Sequence, residues 1–385
     1  MFERALVGSR KYWGLIVVLL AIIGVGFICY LKQLDYGLGI TGMSRDVAWG
    51  LYIANFTFLV GVAASAVMVV LPYYLHNYKQ FGKITILGEF LAVAAVLMTM
   101  LFILVDLGQP ARVFNMILHP SLRSVMFWDM VVLGGYLLLN IVIGWLTLDA
   151  ERKGEKPSAW LKPVIFLSMP WAISIHTVTA MLYCGLAARP FWLTALLAPR
   201  FLASAFASGP ALLILFCLII KRFTKFDAGK EAIEKVAQIV AYAVTTSVFF
   251  LLLEFFTVYY GQLPKHMIHF HYLLFGVEGY TGLVPWMWAS LVLACLSLYL
   301  LINPGTRRRE DFLAAACAAV FASIWIDKGL GLIVPGFIPS PLGEILEYAP
   351  TVPEILITLG VWGVGFLVLT VLYKIAVSVK EETAA

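Results

Sequence analysis

The chain has 385 residues, 62% of them hydrophobic and only 13% charged, with a formal net charge of +5. A soluble globular domain has roughly 45–50% apolar and about 25% charged residues, so this composition excludes a water-soluble enzyme. It defines an all-α integral membrane protein, and the modest positive charge gives no reason to expect nucleic acid as a partner.

A helix needs about 20 apolar residues to cross the hydrocarbon core. Ten runs satisfy this, at about 12–31, 49–75, 84–106, 125–148, 164–187, 200–220, 236–260, 283–302, 312–333 and 353–373. They are continuously apolar rather than alternating, which favours helices over barrel strands. The first run follows Arg4, Arg10 and Lys11, as a signal peptide would. It is too long for a typical h-region and no small-x-small site closes it, so it reads as an uncleaved span. The N-terminus, the even-numbered loops and the C-terminus hold 19 Lys and Arg, and the odd-numbered loops 8. The positive-inside rule therefore predicts that both termini are cytoplasmic, in a multi-pass protein of the cell (inner) membrane surrounded by the lipid bilayer. There is no soluble domain, and residues 1–385 read as one transmembrane unit. The longest gaps, 107–124, 261–282 and 334–352, are external, rich in Pro, Gly and aromatic residues and short of charge, so they are expected to be structured and packed.

Ionisable groups inside spans are expensive and are functional candidates by default. In chain order, Tyr52 and Asn55 lie in the outer part of the second span. Glu89 lies in the inner half of the third, which closes on Asp106 at the outer face. The turn Gly108-Gln109-Pro110 and then Arg112 follow. Asp129 lies about one turn into the fourth span, with Asn140 deeper in its inner half. His176 is near the middle of the fifth span, Glu254 in the outer half of the seventh, Asp327 and Lys328 near the outer end of the ninth, and Glu354 opens the tenth. The polarity is thus shifted toward the outer face. Structural alternatives exist for several. Asp106 can cap its helix or pair with Arg112, Asp129 suits a helix start, and Glu354 follows Pro353 at another. Asp327 and Lys328 are adjacent and need separate partners. Glu89, two turns from Lys83, can reach the cytoplasmic surface. His176 and Glu254 sit too deep to snorkel.

Cys29, Cys184, Cys217, Cys295 and Cys317 are scattered through apolar runs. Clusters need grouped thiolates, so neither an iron–sulfur centre nor a disulfide is expected. "KHMIHFH" places His266, His269 and His271 in one external segment. A partner-contacting loop is the commoner explanation of such a trio, and no metal site is expected. Only His176 is deep in a span, so no haem is expected either.

"DLGQPAR" resembles the D-x-G-R-P turn of the NrfD/PsrC family, the quinone-interacting membrane subunits of respiratory oxidoreductases. "WGLYIANFTFLVGVAASA", "FWD" at 127–129, "SIHTVTAMLYCGLAARPFWLTALLAPRFLASAFASG" and "GLIVPGFIPSPLGEILEYAPTVPEILITLG" are similar to further parts of the family, so the resemblance spans almost the whole chain. Among subgroups it is nearest to DsrP of the DsrMKJOP complex of sulfate reducers, then to HybB-type hydrogenase subunits. Gln109 departs from the motif, where the family usually has Arg, and Arg112 supplies a charge three residues on.

The resemblance implies two four-helix bundles plus additional helices and a menaquinone pocket near the outer face. The partners it implies are an extracytoplasmic iron–sulfur subunit, a multihaem cytochrome c, and a second quinone-linked membrane subunit with a cytoplasmic iron–sulfur partner. Asp106, Asp129 and His176 are then the expected proton-handling groups. Tyr52, Asn55 and Arg112 join Asp129 in holding the ring, and Glu89, Asn140 and Glu254 offer a proton path. The protein would orient a substrate whose own chemistry carries the electrons, and supply proton acceptors in reach of its oxygens. Two rival readings remain. A proton-coupled secondary transporter should show midplane polarity and paired broken helices. A purely structural anchor should tolerate loss of Asp129 and His176.

Overall fold

A computed structural model describes residues 1–76 and 78–384. Among the described residues, ten helices are long and apolar enough to cross a membrane: α1 (Arg10–Ile40), α2 (Leu51–Leu75), α3 (Thr85–Asp106), α4 (Val125–Lys153), α5 (Leu161–Cys184), α6 (Leu197–Phe223), α7 (Lys230–Tyr260), α8 (Val284–Ile302), α9 (Glu310–Phe337) and α10 (Val352–Thr383). Among the described residues there is no strand, only an isolated bridge between Val277 and Tyr280.

Packing partitions these helices as the composition cannot. Helices α2 to α5 form one closed ring of contacts, α6 to α9 a second, and α1 pairs with α10 against α3. These are two four-helix bundles plus two additional helices. The middle of the molecule is α2, which touches both bundles and is apolar on every side; 94% of its most apolar stretch is buried, against 17% for α1. A helix hydrophobic all round belongs in a core, and one with a bare apolar surface faces lipid. Lipid tails supply no hydrophobic drive between helices, so close backbone approach matters more here than in water. At the α1–α10 crossing a Cβ on Gly26 would lie 2.7 Å from the Cα of Gly360, so side chains at either position would force the pair apart.

Two helices are irregular. At Ala64 in α2 the N–H turns to the Gly61 carbonyl in a tighter bond. In α9, Trp325–Leu330 winds as a π-helix that packs on α2. Widened turns of this kind re-aim side chains and are frequent at functional sites.

Arg4 pairs with Glu382 at 2.6 Å, so both ends of the chain lie at one face, here termed the terminal face. At the opposite face, the gap 261–282 is structured as expected, residues 264–274 forming a helix. The gap 334–352 is divided: Val334–Phe337 extends α9 and is wholly buried, Ile345 and Tyr348 are buried, and residues 341–344 are exposed. The third departs from expectation. Residues 110–118 form short helices, yet Phe114, Ile117, Leu118 and Leu122 are 61–72% exposed.

Candidate functional site

At the opposite face the start of α2 is fixed from the far end of the chain. The first N–H groups of a helix lack partners. The Leu51 N–H donates to both Glu354 Oε1 (3.1 Å) and the Tyr348 hydroxyl (2.7 Å), while Tyr348 in turn donates to Glu354. Glu354 also accepts from the Gly42 N–H at 2.9 Å. One turn on, Asn55 Oδ1 receives the indole N–H groups of Trp325 (3.0 Å) and Trp362 (2.9 Å), and its Nδ2 donates to the Leu51 carbonyl. Asn55 thereby ties α2 to α9 and α10. Its carbonyl oxygen is fully committed within the chain, and one of its two amide N–H groups is as well.

Beside this anchor lies a polar chain. The Tyr52 hydroxyl, fully buried, donates to Gln33 Oε1 at 2.8 Å, and Gln33 Nε2 donates to the Val105 carbonyl at 2.6 Å. The next residue is Asp106, whose Oδ1 is buried without a hydrogen-bond partner among the described residues. The expected pairing of Asp106 with Arg112 is not formed: Arg112 is exposed on the outer turn and makes no ion pair among the described residues. It faces the surface because the short helix after Pro110 carries it away from the end of α3.

Asp129 is 3% exposed and accepts from Thr179 Oγ1 at 2.6 Å, joining α4 to α5. One turn along α5, Tyr183 bonds Thr57 of α2 at 2.5 Å; because Thr57 donates to its own Ile53 carbonyl, Tyr183 is the donor. Its ring packs with Trp49, Trp192 and Phe201, and Phe337 closes the cluster. Asp106 and Asp129 both lie within electrostatic range of Tyr183. The two carboxylates, neither with a cation beside it among the described residues, Tyr52 and this aromatic wall therefore occupy one level of the first bundle. Deeper, His176 is 1% exposed and neither ring nitrogen has a partner among the described residues.

The second bundle treats its charges differently. Arg200 reaches Glu254 Oε2 and Asp327 Oδ1, each at 2.7 Å, with all three side chains largely buried. Lys328, the neighbour of Asp327, is 3% exposed, lies 4.3 Å above the Phe201 ring and, among the described residues, makes only a long 3.4 Å contact to the Phe201 carbonyl. A cavity of about 10 Å³ lies between Arg200, Ser204, Asp327 and Lys328, the space one water needs. The π-turn makes this possible, because Asp327 and Lys328 both leave it.

In the half nearer the terminal face, Glu89 is 3% exposed with Oε2 unpartnered, and its Cβ lies next to Gly144 of α4. Asn140 donates to the Tyr136 carbonyl one turn back on its own helix, at 2.7 Å. Thr147 Oγ1, on the same helix, is also buried and unpartnered.

The three loop histidines do three separate things. His269 Nδ1 bridges the carbonyls of Pro335 and Ile338 at 2.8 Å each, and His271 Nδ1 reaches the Gly276 carbonyl at 3.0 Å. Burial holds the His269 imidazole at about 4, below its usual value, so it is neutral at pH 7. His266 makes no such bond among the described residues, and no group of three metal-ligating side chains converges there or elsewhere among them.

Several contributors are invisible in a linear reading. Arg200 falls at the edge of an apolar run and reads as a loop cation, yet it belongs to the first turn of α6 and is buried. Thr179 and Tyr183 look like ordinary residues of an apolar span, and Gln33 falls just past the end of the first run. The only available signal was periodicity: Thr179 and Tyr183 stand one turn apart, on the face that also carries His176.

Ten spans, two bundles and buried carboxylates that, Glu89 apart, gather near one face define a polytopic membrane protein with a polar site between its helices. Residues 39–338 match the family described as "Polysulphide reductase, NrfD", and the chain belongs to that family. It is similar to a putative dimethyl sulfoxide reductase membrane subunit of Halobacterium salinarum, 28% identical with 92% of this chain and 88% of that protein covered. An Hdr-like menaquinol oxidoreductase integral membrane subunit of Archaeoglobus fulgidus is 23% identical, covering 99% and 97%. A selenate reductase subunit of Mesobacillus selenatarsenatis is 21% identical, covering 94% and 93%. These relatives are subunits of oxidoreductases, and near full-length coverage makes the likeness one of whole chains.

Proposed function

We propose that the chain is the quinone-handling membrane subunit of a respiratory oxidoreductase complex, with menaquinone as substrate between α2, α3, α4 and α5. The observation that carries this is the buried, unpartnered Oδ1 of Asp106 at the level of Asp129, with no cation paired to either carboxylate among the described residues. Such groups are costly in lipid unless a polar ligand or proton occupies them. A quinone ring supplies carbonyl or hydroxyl oxygens and an apolar body, which suit the two carboxylates and the aromatic wall of Trp49, Tyr183 and Trp192.

The chain's own residues do the following. Asp129, oriented by Thr179, takes or gives a proton at a ring oxygen, and Asp106 serves the other. Tyr52, held by Gln33, lies beside Asp106 and keeps its surroundings polar. His176 receives or supplies protons at the inner edge, where two free ring nitrogens allow exchange of donor and acceptor roles. Quinol oxidation releases two protons and two electrons, and the electrons leave to a neighbouring redox protein.

The 19-to-8 Lys and Arg distribution supports a cytoplasmic terminal face. Arg200 and Lys328, both counted outside, are buried in the second bundle, which sharpens the asymmetry. The site is then extracytoplasmic. The exposed apolar side chains of 114–122 form the adjoining surface on which an extracytoplasmic iron–sulfur subunit would sit. An assembly of the DsrMKJOP type, linked to sulfate or sulfite reduction, would add a multihaem cytochrome c and a second quinone-linked membrane protein.

The test is photolabelling of the native complex with an azido-menaquinone, followed by peptide mapping. Label on α3–α5 near Asp106 and Asp129, displaced by excess menaquinone, is expected. Label confined to α6–α9 would overturn the assignment.

A further inference from the structure

Far from the site above, at the terminal face, the ends of α6, α7 and α9 and the α8–α9 turn enclose a cavity of about 120 Å³. That is several times the space one water needs, enough for a compact polyatomic anion. Four cations line it: Lys221, Lys230, Arg307 and Arg308. So do three carboxylates, and each of those is already engaged. Asp227 receives the Gly229 N–H at 2.9 Å and lies 3.1 Å from Lys221. Glu310 takes Lys221 at 2.8 Å, and Glu234 takes Arg308 at 2.9 Å.

Two cations are left over. Lys230 forms no ion pair among the described residues. Arg307, its side chain 11% exposed, gives Nη1 to the Leu301 carbonyl at 2.8 Å and only grazes Glu234 at 4.0 Å. Its Nε–H is buried with no acceptor among the described residues. Guanidinium N–H groups are rarely orphaned in this way, because an unmet charged donor costs more than a neutral one. In addition α7 and α9 both begin at this cavity without a side-chain cap, so their first N–H groups and positive dipole ends add to the same field.

We propose that this cavity is a binding site for a phosphate-type oxyanion, held by Arg307 Nε, Lys230 and the first turn of α7. The anion completes the donors that the three carboxylates leave unmet. The same chemistry is offered by a phospholipid headgroup and by free inorganic phosphate. Basic pockets between spans at the cytoplasmic face are known lipid headgroup sites in general.

The test uses the purified full chain in phosphatidylcholine nanodiscs. Thermal unfolding is followed against inorganic phosphate, with chloride matched for ionic strength, and then in discs containing phosphatidylglycerol. Lys230 is exposed and opens α7, where a carboxylate is tolerated, so Lys230→Glu should fold. Arg307→Gln serves as the second variant. A saturable rise in midpoint with phosphate beyond the chloride control, weakened about ten-fold or more in Lys230→Glu, is expected. A rise with phosphatidylglycerol alone, lost in both variants, supports the site and identifies the headgroup as the source. No rise with either anion, a rise matched by chloride, or one unchanged in both variants would overturn it.

Discussion

The two bundles solve the problem of a buried carboxylate in opposite ways. In the second, Glu254 and Asp327 share one guanidinium, each at 2.7 Å. In the first, Asp106, Asp129 and Glu89 have no cation in contact among the described residues; Asp129 takes a threonine hydroxyl, and Asp106 and Glu89 each keep an unpartnered oxygen. A carboxylate clamped by Arg is stabilised as an anion and holds helices together. One left without a counter-charge keeps its oxygens available to a ligand or a proton. The contrast gives Glu254 the position of an architectural clamp, and leaves the buried carboxylates without a counter-charge in α2 to α5.

The largest effect should come from removing the clamp. Arg200→Ala strands two buried acids and should destabilise the fold by about 3–5 kcal/mol. Thermal unfolding in detergent would measure it. Adding Glu254→Gln and Asp327→Asn should restore much of the loss, and failure to do so would mean that Arg200 acts other than by charge pairing.

The first bundle should respond in the opposite sense. Asp129→Asn keeps an oxygen to accept from Thr179 but removes the titratable proton. Quinol-linked turnover should fall by about 10²-fold or more while stability shifts by less than about 1 kcal/mol. Full turnover in the variant would reduce Asp129 to a helix-start residue, and the bundles would then differ only in packing.

Glu89→Gln should leave quinone binding intact and lower the proton-to-electron ratio measured in vesicles. An unchanged ratio would make Glu89 structural despite its unpaired oxygen.

The smallest effect lies outside the spans. His269 is held neutral, at about 4, against a usual value near 6.5. A base whose value is depressed in the folded state contributes stability that is fully present above pH 6.5 and is lost as pH falls toward 4. Protection factors in 264–274, taken after dividing out the intrinsic pH dependence of amide exchange, should therefore fall between pH 6.5 and 4, and His269→Gln should flatten that dependence. The bundles themselves should show no matching change.

The spans were readable because lipid forces long continuous apolar runs on any helix that crosses it. The depth of Asp106, Asp129 and His176 followed from the same runs. The partners of those groups were not readable. Whether a carboxylate has a guanidinium beside it depends on which helices adjoin, and Arg200 finds Glu254 54 positions away and Asp327 127 away. Arg112, close to Asp106 in sequence, turns outward instead. Glu354 looked like a favourable start to its own helix, and its carboxylate instead caps a different one. The π-turn that delivers Asp327 and Lys328 has no composition signal.

That cap has a consequence for how the protein is made. The leading amide of α2, the innermost helix, is satisfied by Tyr348 and Glu354, which are synthesised about 300 residues later. While the ribosome is still delivering the middle of the chain, α2 enters the bilayer with its leading end unfinished. The pairing of α1 with α10 is equally late. Final closure thus waits for the last helix, and a chain stopped before residue 348 should be handed to membrane proteases, even though it carries every helix of both bundles.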